Sequence, residues 1–499
     1  MTTTSPVDPP VGAVTIDSVV VEGGTEPRLV ISGTGSPALA AFRGARQDLP
    51  GTFDHFDGRY TAVFPLLVSR WKGPALPGPS GAYRLTLEAD VTAGLPVSVL
   101  VPGLVRAEIT AAGTSLALQL SAPLDDAERG PAAQAALEKR YRATKYEPLD
   151  AVFFESFYGQ SAACSPLALD RELAATRPDI ARYWSVVDAS VAVPEGSTAL
   201  IEGSAEWWRI RGSARLLVVN DWLRNRFRRR RFQTVLQTWH GTPLKKIALS
   251  RARVGIRTAF ATIRERGRWN IMLAQNPHSA AVFRSAYAYL GPIWQEGYPR
   301  DDALVSGDGA DVVRARLGIP DGVTVLLYAP TWRDDRPGHV DHLDVASFAD
   351  KLGPGYVTLI RGHSRTLEHG RDTQASNVLD VTGYADVTDL FLVADALITD
   401  YSSVMFDYSV TGKPIFFFAP DLDHYREQLR GFYFDLVAVA PGPVVQQAAE
   451  LVDLVRDRER VSAEYAGKYA DWRARFNPRD DGDSARRIVA RLLARKAIG

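Results

Sequence analysis

From Leu149 onward, short apolar runs alternate with helix-patterned segments, and this alternation constrains the fold more than any other feature. A first set of runs covers residues 151–154, 184–187, 216–219, 232–236 and 271–274. A second set covers 323–328, 357–360, 396–399 and 414–418. Continuous apolar runs of this length suit strands buried on both faces, and strand–helix alternation implies parallel, doubly wound sheets. The pattern breaks between residues 297 and 308, where Gly297-Tyr298-Pro299-Arg300-Asp301-Asp302 interrupts it. Two Rossmann-like halves are therefore expected, 149–300 and 301–499, with a cleft between them. The second ends in a basic amphipathic helix over 484–496.

The first 122 residues have a different texture. Tyr83, Leu85, Leu87 and Ala89 alternate with polar neighbours, as do Leu116, Leu118 and Leu120. Period two with one apolar face marks half-buried strands. Gly-Gly, Pro-Gly and Asp-Gly pairs punctuate them, so residues 1–122 read as a sandwich-like all-β domain. It carries none of the chemistry-bearing segments and is expected to be an accessory module. Residues 123–148 form a connector, charged, alanine-rich and helical over 125–141.

Composition removes several function classes. The 499 residues hold 58 basic and 58 acidic side chains, so no overall field draws the chain to nucleic acid. The 1 cysteine, Cys164, has no internal disulfide partner, which fits a reducing compartment. Met1-Thr2-Thr3-Thr4-Ser5-Pro6 has neither the basic nor the apolar stretch of a secretory signal. No apolar run approaches the roughly 20 residues of a spanning helix. A cytoplasmic location is expected, free or peripheral at the inner membrane face. HExxH, Cys/His metal spacing, Walker A and GxSxG patterns are all missing from the sequence.

Several segments carry chemistry. Gln237-Thr238-Trp239-His240-Gly241-Thr242-Pro243-Leu244-Lys245 follows the strand at 232–236. A histidine just past a strand end, held by Gly and Pro turn chemistry, suits proton transfer in a cleft, and Lys245 suits an anion. Thr331 and Arg333 follow the strand at 323–328, and Arg361 and His363 follow that at 357–360. Ligands of open α/β sheets bind outside such carboxyl ends, and a guanidinium matches phosphate bidentately. Ser402 and Ser403 follow the strand at 396–399 and open a helix expected to run to about Val410. One serine there is explained as an N-cap; two point to an anion held on the free N–H groups. Asp407, one turn in, suits either a sugar or polyol hydroxyl or a solvated helix face. Each segment taken singly also has an ordinary structural explanation. Arg224, Arg226 and Arg228 to Arg231 form a basic cluster, and residues 251–268 interleave arginines with Val254, Ile256, Phe260 and Ile263. These tracts fit a solvated face, a helix on an anionic membrane surface, or a track for a polyanionic acceptor.

The combination resembles the CDP-glycerol glycerophosphotransferase family, which includes teichoic acid primases and polymerases and capsule polymerases. The resemblance rests on His240-Gly241-Thr242-Pro243-Leu244-Lys245, Pro330-Thr331-Trp332-Arg333, Arg361-Gly362-His363 and Leu397 through Ser403 with Phe406-Asp407. Lys413-Pro414, Asp421 through Tyr425 and Arg430 through Asp435 extend it, in the family's order over about 145–495. It implies a GT-B architecture and transfer of polyol phosphate from CDP-glycerol or CDP-ribitol, with CMP leaving. The acceptor it implies is a polyol-phosphate or glycan chain, free or lipid-linked. By resemblance His240 is the catalytic base, His363 a second essential histidine near the donor pyrophosphate, and Ser402 and Ser403 the pyrophosphate-binding pair. Arg361 and Lys245 become phosphate contacts. No cofactor is implied, and no metal at the chemical step. Ser364 departs from the family's proline after the second histidine, and the β domain lies outside the resemblance. Two alternatives stay open: a GT-B glycosyltransferase using a nucleotide sugar, and a non-catalytic polyanion-binding protein.

Overall fold

The structure, a computed structural model, describes residues 14–224, 226–331, 343–362, 377–422 and 431–499. The chain divides into two compact units, one of residues 1–135 with 187–192, the other of 136–186 with 193–499.

The first unit is a sandwich of two antiparallel sheets. One has four strands, Ser18–Glu22, Arg28–Thr34, Arg59–Pro65 and Thr52–Phe56 in that spatial order. The other has six, including Gly81–Leu85, Val105–Ala111 and Leu116–Ser121. The alternation read from the sequence resolves as expected: Leu116, Leu118 and Leu120 are buried, as are Tyr83 and Leu85. The inner faces meet where Phe42 and Phe64 pack edge to face, centroids 5.0 Å apart.

The second unit holds both parallel sheets. Strands β1 (Leu149–Glu155), β2 (Ala181–Val186), β3 (Thr198–Ile201), β4 (Ala214–Val219), β5 (Thr234–Gln237), β6 (Ile271–Ala274) and β7 (Ile293–Gln295) lie in the order 3-2-1-4-5-6-7. Strands β8 (Thr324–Ala329), β9 (Tyr356–Ile360), β10 (Val378–Asp380), β11 (Ala396–Thr399), β12 (Ile415–Phe418) and β13 (Val444–Val445) repeat it, as 10-9-8-11-12-13. This is the Rossmann order twice, so each sheet has one switch point, between β1 and β4 and between β8 and β11. All paired strands in both sheets run parallel. The continuous apolar runs are explained by burial on both faces: Val152, Phe153, Phe154, Leu216, Leu217, Leu397 and Ile398 are fully buried.

Two details differ from the sequence reading. The helix expected over 125–141 begins later, at Gly130–Ala143, and is more than a spacer. Its Leu137 and Tyr141 are buried in the core of the first half, with Tyr141 5.0 Å from the Trp208 ring. The end of the chain, expected with the second half, returns to the first. The last helix, α7 (Ser484–Ala494), packs on α1 (Cys164–Thr176), and the Gly499 N–H donates to Asp150 Oδ1 at 2.9 Å. The physical reason is its apolar stripe, Ile488, Val489 and Leu492, which has to be covered. Among the described residues no helix is long and apolar enough to cross a membrane.

Candidate active site

The His240 loop leaves β5 in a conformation that few residues adopt. Trp239 has φ 58° and Gly241 φ 152°, so the histidine sits between two positive-φ residues. A non-glycine residue held there is costly and persists when its surroundings fix it. Here the Trp239 ring packs against Phe283 and Tyr287 at 5.3 and 5.4 Å, and stacks on the His240 imidazole at 4.9 Å. Phe157, from the turn after β1, closes the other side at 5.8 Å.

One bond sets the chemistry of the histidine. His240 Nδ1 lies 2.6 Å from the backbone carbonyl of Asn220, just past β4. A carbonyl only accepts, so Nδ1 carries the proton, and neutral His240 presents its lone pair at Nε2. A fixed tautomer with Nε2 unprotonated is the form a general base needs.

The rest of the loop is anchored. Thr242 is fully buried; its hydroxyl donates to Gln275 Oε1 at 2.6 Å and accepts from Asn276 Nδ2 at 2.9 Å. The Pro243 carbonyl accepts from His278 Nε2 at 2.9 Å, and burial lowers the His278 pKa, favouring the neutral ring. Lys245 lies where the first half meets the second. It pairs with Phe432 as an antiparallel bridge, flanked by Lys246 N–H to Gly431 O at 3.1 Å and Tyr433 N–H to Leu244 O at 2.8 Å.

On the second half, Thr331, Arg361, Ser402 and Ser403 all stand at carboxyl ends of strands. Asp400 ties the switch point together, accepting the Thr331 N–H at 2.9 and 3.0 Å. Arg361 is half-buried, its Nη1 donating to Tyr384 O at 2.7 Å. Burial lowers its pKa to about 10, against the pull of Asp386, so it stays charged at neutral pH. The helix after Ser403 is shorter than expected: α5 is Val404–Tyr408, followed by a 3-10 turn over Ser409–Thr411. Ser403 occupies the cap position without a side-chain cap bond. The N-cap explanation therefore does not account for its hydroxyl.

The two halves meet at the glycine of the histidine loop. A Cβ placed on Gly241 would lie 2.6 Å from Ser403 Oγ and 2.9 Å from Ser403 Cβ. Only glycine allows this approach. The structure thus brings His240, Ser402 and Ser403 together. His363 and Arg333 lie outside the described residues.

Asp407 is neither a hydroxyl contact nor a solvated helix face. It is 1% exposed, and its Oδ1 accepts from Arg300 Nε at 3.0 Å and Nη2 at 2.6 Å. Sequence reasoning missed this pair, because Arg300 is 107 residues away. It also missed Asn220, which acts through its backbone, and Gln275 and Asn276. The last two carried a faint signal, since Asn276-Pro277 just past a strand is a helix start, and Asn276 caps it by accepting from the Ser279 N–H.

The arginine cluster also reads differently in three dimensions. Arg224 pairs with Glu202 and Arg226 with Glu138, while Arg228 and Arg229 donate to the carbonyls of Arg142 and Arg268. Arg230 donates to Tyr141 O and lies over the Tyr141 ring at 4.8 Å. Much of the cluster is fastening rather than an open basic track.

Comparison with known proteins turns this geometry into kinship. Residues 140–494 match the family described as CDP-Glycerol:Poly(glycerophosphate) glycerophosphotransferase. The chain belongs to this family. A teichoic acid glycerol-phosphate transferase of Staphylococcus aureus is 34% identical over 365 residues, covering 68% of this chain and 92% of that protein. A teichoic acid poly(glycerol phosphate) polymerase of Bacillus subtilis is 32% identical over 357 residues. That match covers 68% of this chain but only 48% of the polymerase, so the chain spans about half that relative's length. A solved structure of the wall teichoic acid polymerase TagF superposes with TM-score 0.69 at 31% identity, covering 72% of this chain and 93% of that one. A second, described as soaked with CDPG, gives TM-score 0.68 at 32% identity. The family relationship and the GT-B fold with an N-terminal β domain, expected from the sequence, both hold.

Proposed function

We infer that this enzyme transfers polyol phosphate, glycerol phosphate foremost, from a CDP-polyol to a hydroxyl of a teichoic acid-like acceptor, releasing CMP. The observation that carries this reading is the packing of Gly241 on Ser403. It sets a histidine with a fixed Nδ1–H tautomer beside an anion-type helix start. The acceptor O–H gives its proton to His240 Nε2 as its oxygen attacks the β-phosphorus. The bond from that phosphorus to the bridging oxygen breaks, and CMP leaves with the electron pair. Phosphoryl transfer needs positioning and charge stabilisation more than covalent help. Ser402, Ser403, Arg361, Lys245 and, by resemblance, His363 supply them. Glycerol is favoured over ribitol by coverage. The Staphylococcus aureus glycerol-phosphate relative aligns over 68% of this chain at 34% identity, a ribitol-phosphate polymerase of the same organism over 56% at 27%.

Binding at an anionic membrane surface fits helix α3 (Ile256–Arg266). Ile256, Phe260 and Ile263 stand exposed on one face, at 78%, 73% and 40%, with Arg257, Arg264 and Arg266 on the same helix. This supports a reading in which the enzyme works at the inner face of the membrane, where a lipid-linked acceptor would lie.

The test is incubation with CDP-glycerol and a short glycerol-phosphate acceptor, following CMP and product mass. CMP release with one added glycerol phosphate is expected. Turnover of a nucleotide sugar instead, or no reaction with any CDP-polyol, overturns the reading.

A further inference from the structure

The first half contains a second built site outside the His240–Ser403 cluster. A cavity of about 600 Å³ lies beside α2 (Ala205–Ser213) and α3. Arg211 lines it and is fully buried. None of its three guanidinium nitrogens has a hydrogen-bond acceptor among the described residues. What holds the group is stacking: its guanidinium carbon sits 4.5 Å from the Trp207 ring and 5.2 Å from that of Phe227. A buried cation without hydrogen-bond acceptors is costly, and among the described residues Glu202 answers its charge without taking its donors, which leaves them to a bound anion.

The remaining lining has an anionophilic balance. Arg224, Arg226 and Arg264 join Arg211, against Glu202 and Glu265. Both carboxylates are paired, Glu202 with the lining's own Arg224, and Arg226 is in turn paired with Glu138. Glu265 accepts from the Leu223 N–H at 2.6 Å and from Arg268 at 2.7 Å. The cavity also lies next to the reaction centre. Tyr158 and Trp222 line it. Phe157, one residue from Tyr158, touches the His240 ring, and Asn220, two residues from Trp222, holds His240 Nδ1.

We propose that this cavity binds an internal phosphodiester of the acceptor chain, behind the attacking hydroxyl, with Arg211 as the buried anchor and Arg264 at its mouth. The assignment rests on the reading that the acceptor is a polyol-phosphate chain. A planar guanidinium with free donors matches two phosphate oxygens at once.

The probe is glycerophosphoglycerol, a soluble phosphodiester, titrated calorimetrically onto the full chain without donor, so the result does not depend on turnover. Arg211→Met should weaken its binding about tenfold or more, as expected for losing a charged hydrogen bond. Its affinity for CDP-glycerol should stay at the wild-type value. Its melting temperature should hold or rise, because an unsatisfied guanidinium is replaced by an apolar chain of similar length. Arg264→Gln, at an exposed position, should weaken the probe by a smaller factor, and decides the matter if Arg211→Met does not fold. Unchanged probe affinity in the folded variants overturns the proposal. So does an equal loss of CDP-glycerol affinity, which would assign the cavity to the donor. Loss of binding to phosphatidylglycerol vesicles with probe binding intact would assign it to a lipid headgroup, and overturns it as well. An enzyme that binds the probe through Arg211 but releases no CMP would leave this site standing and bring down the proposed reaction instead.

Discussion

His240 shows how one backbone contact gives a side chain its chemistry. The Asn220 carbonyl fixes the proton on Nδ1 and leaves Nε2 to accept one. His240→Ala should therefore cut transfer by about a hundredfold or more, the usual worth of a general base, with CDP-glycerol affinity close to wild type. Steady-state CMP release with donor titration checks it; a variant keeping over about a tenth of the rate would not be missing a base. Gly241 is as constrained as the histidine. Gly241→Ala would put a methyl group 2.6 Å from Ser403 Oγ. Its loop or the Ser403 turn has to move, so both kcat and the donor KM should worsen, though neither residue is deleted. An alanine variant with wild-type kinetics would show that this contact does not position the site.

At the scale of elements, much of the fold was written in the sequence. The long central strands were legible because parallel strands covered on both faces must be continuously apolar. Strands β7, β10 and β13 were not, since each has three residues or fewer and no period to read. The return of α7 to the first half was illegible for another reason: its stripe announces burial without naming a partner. The serine pair was legible as a helix start, but not its lack of a side-chain cap bond. That absence changes an expectation. Replacing an N-cap serine ordinarily costs about 1 kcal/mol. Ser402→Ala with Ser403→Ala should cost less than that here, while raising the CDP-glycerol KM severalfold. Paired melting and donor-titration measurements separate the two effects. A fall in melting temperature with unchanged donor affinity would return the pair to a structural role.

At the scale of the whole molecule, the halves are joined through a buried charge cluster that no local pattern foretold. Arg300 and Asp301 come from the turn at the junction of the halves, Asp407 from α5 beside Ser403, and Asp480 from the returning C-terminal segment. One guanidinium faces the carboxyls of Asp301 and Asp407, and Asp480 adds a third carboxyl beside them, so full ionisation leaves an excess of buried negative charge. Burial drives the Asp301 pKa well up, reinforced by Asp407 and Asp480, and raises that of Asp407 against the pull of Arg300. Burial likewise pushes the Asp480 carboxyl from 3.8 up to about 7, opposed by hydrogen bonds from the Tyr298 N–H and Asn477. A carboxyl with a higher pKa folded than unfolded binds more protons in the native state. Its contribution to stability is thus full below 3.8 and is lost as pH rises to about 7. The melting temperature should accordingly fall between about pH 4 and pH 8, with the steepest loss between the two pKa values and a levelling off above the upper one. Asp480→Asn keeps an oxygen for the Tyr298 N–H at 2.8 Å but removes the titration, so its decline should be shallower. Arg300→Met should act in the opposite sense. It leaves Asp301 and Asp407 without their cation, costing about 3–5 kcal/mol where they are ionised and less where they are protonated. Its decline with pH should therefore be steeper than that of wild type. Parallel slopes in all three proteins would mean that this cluster holds no proton to lose, and that the halves are joined by packing alone.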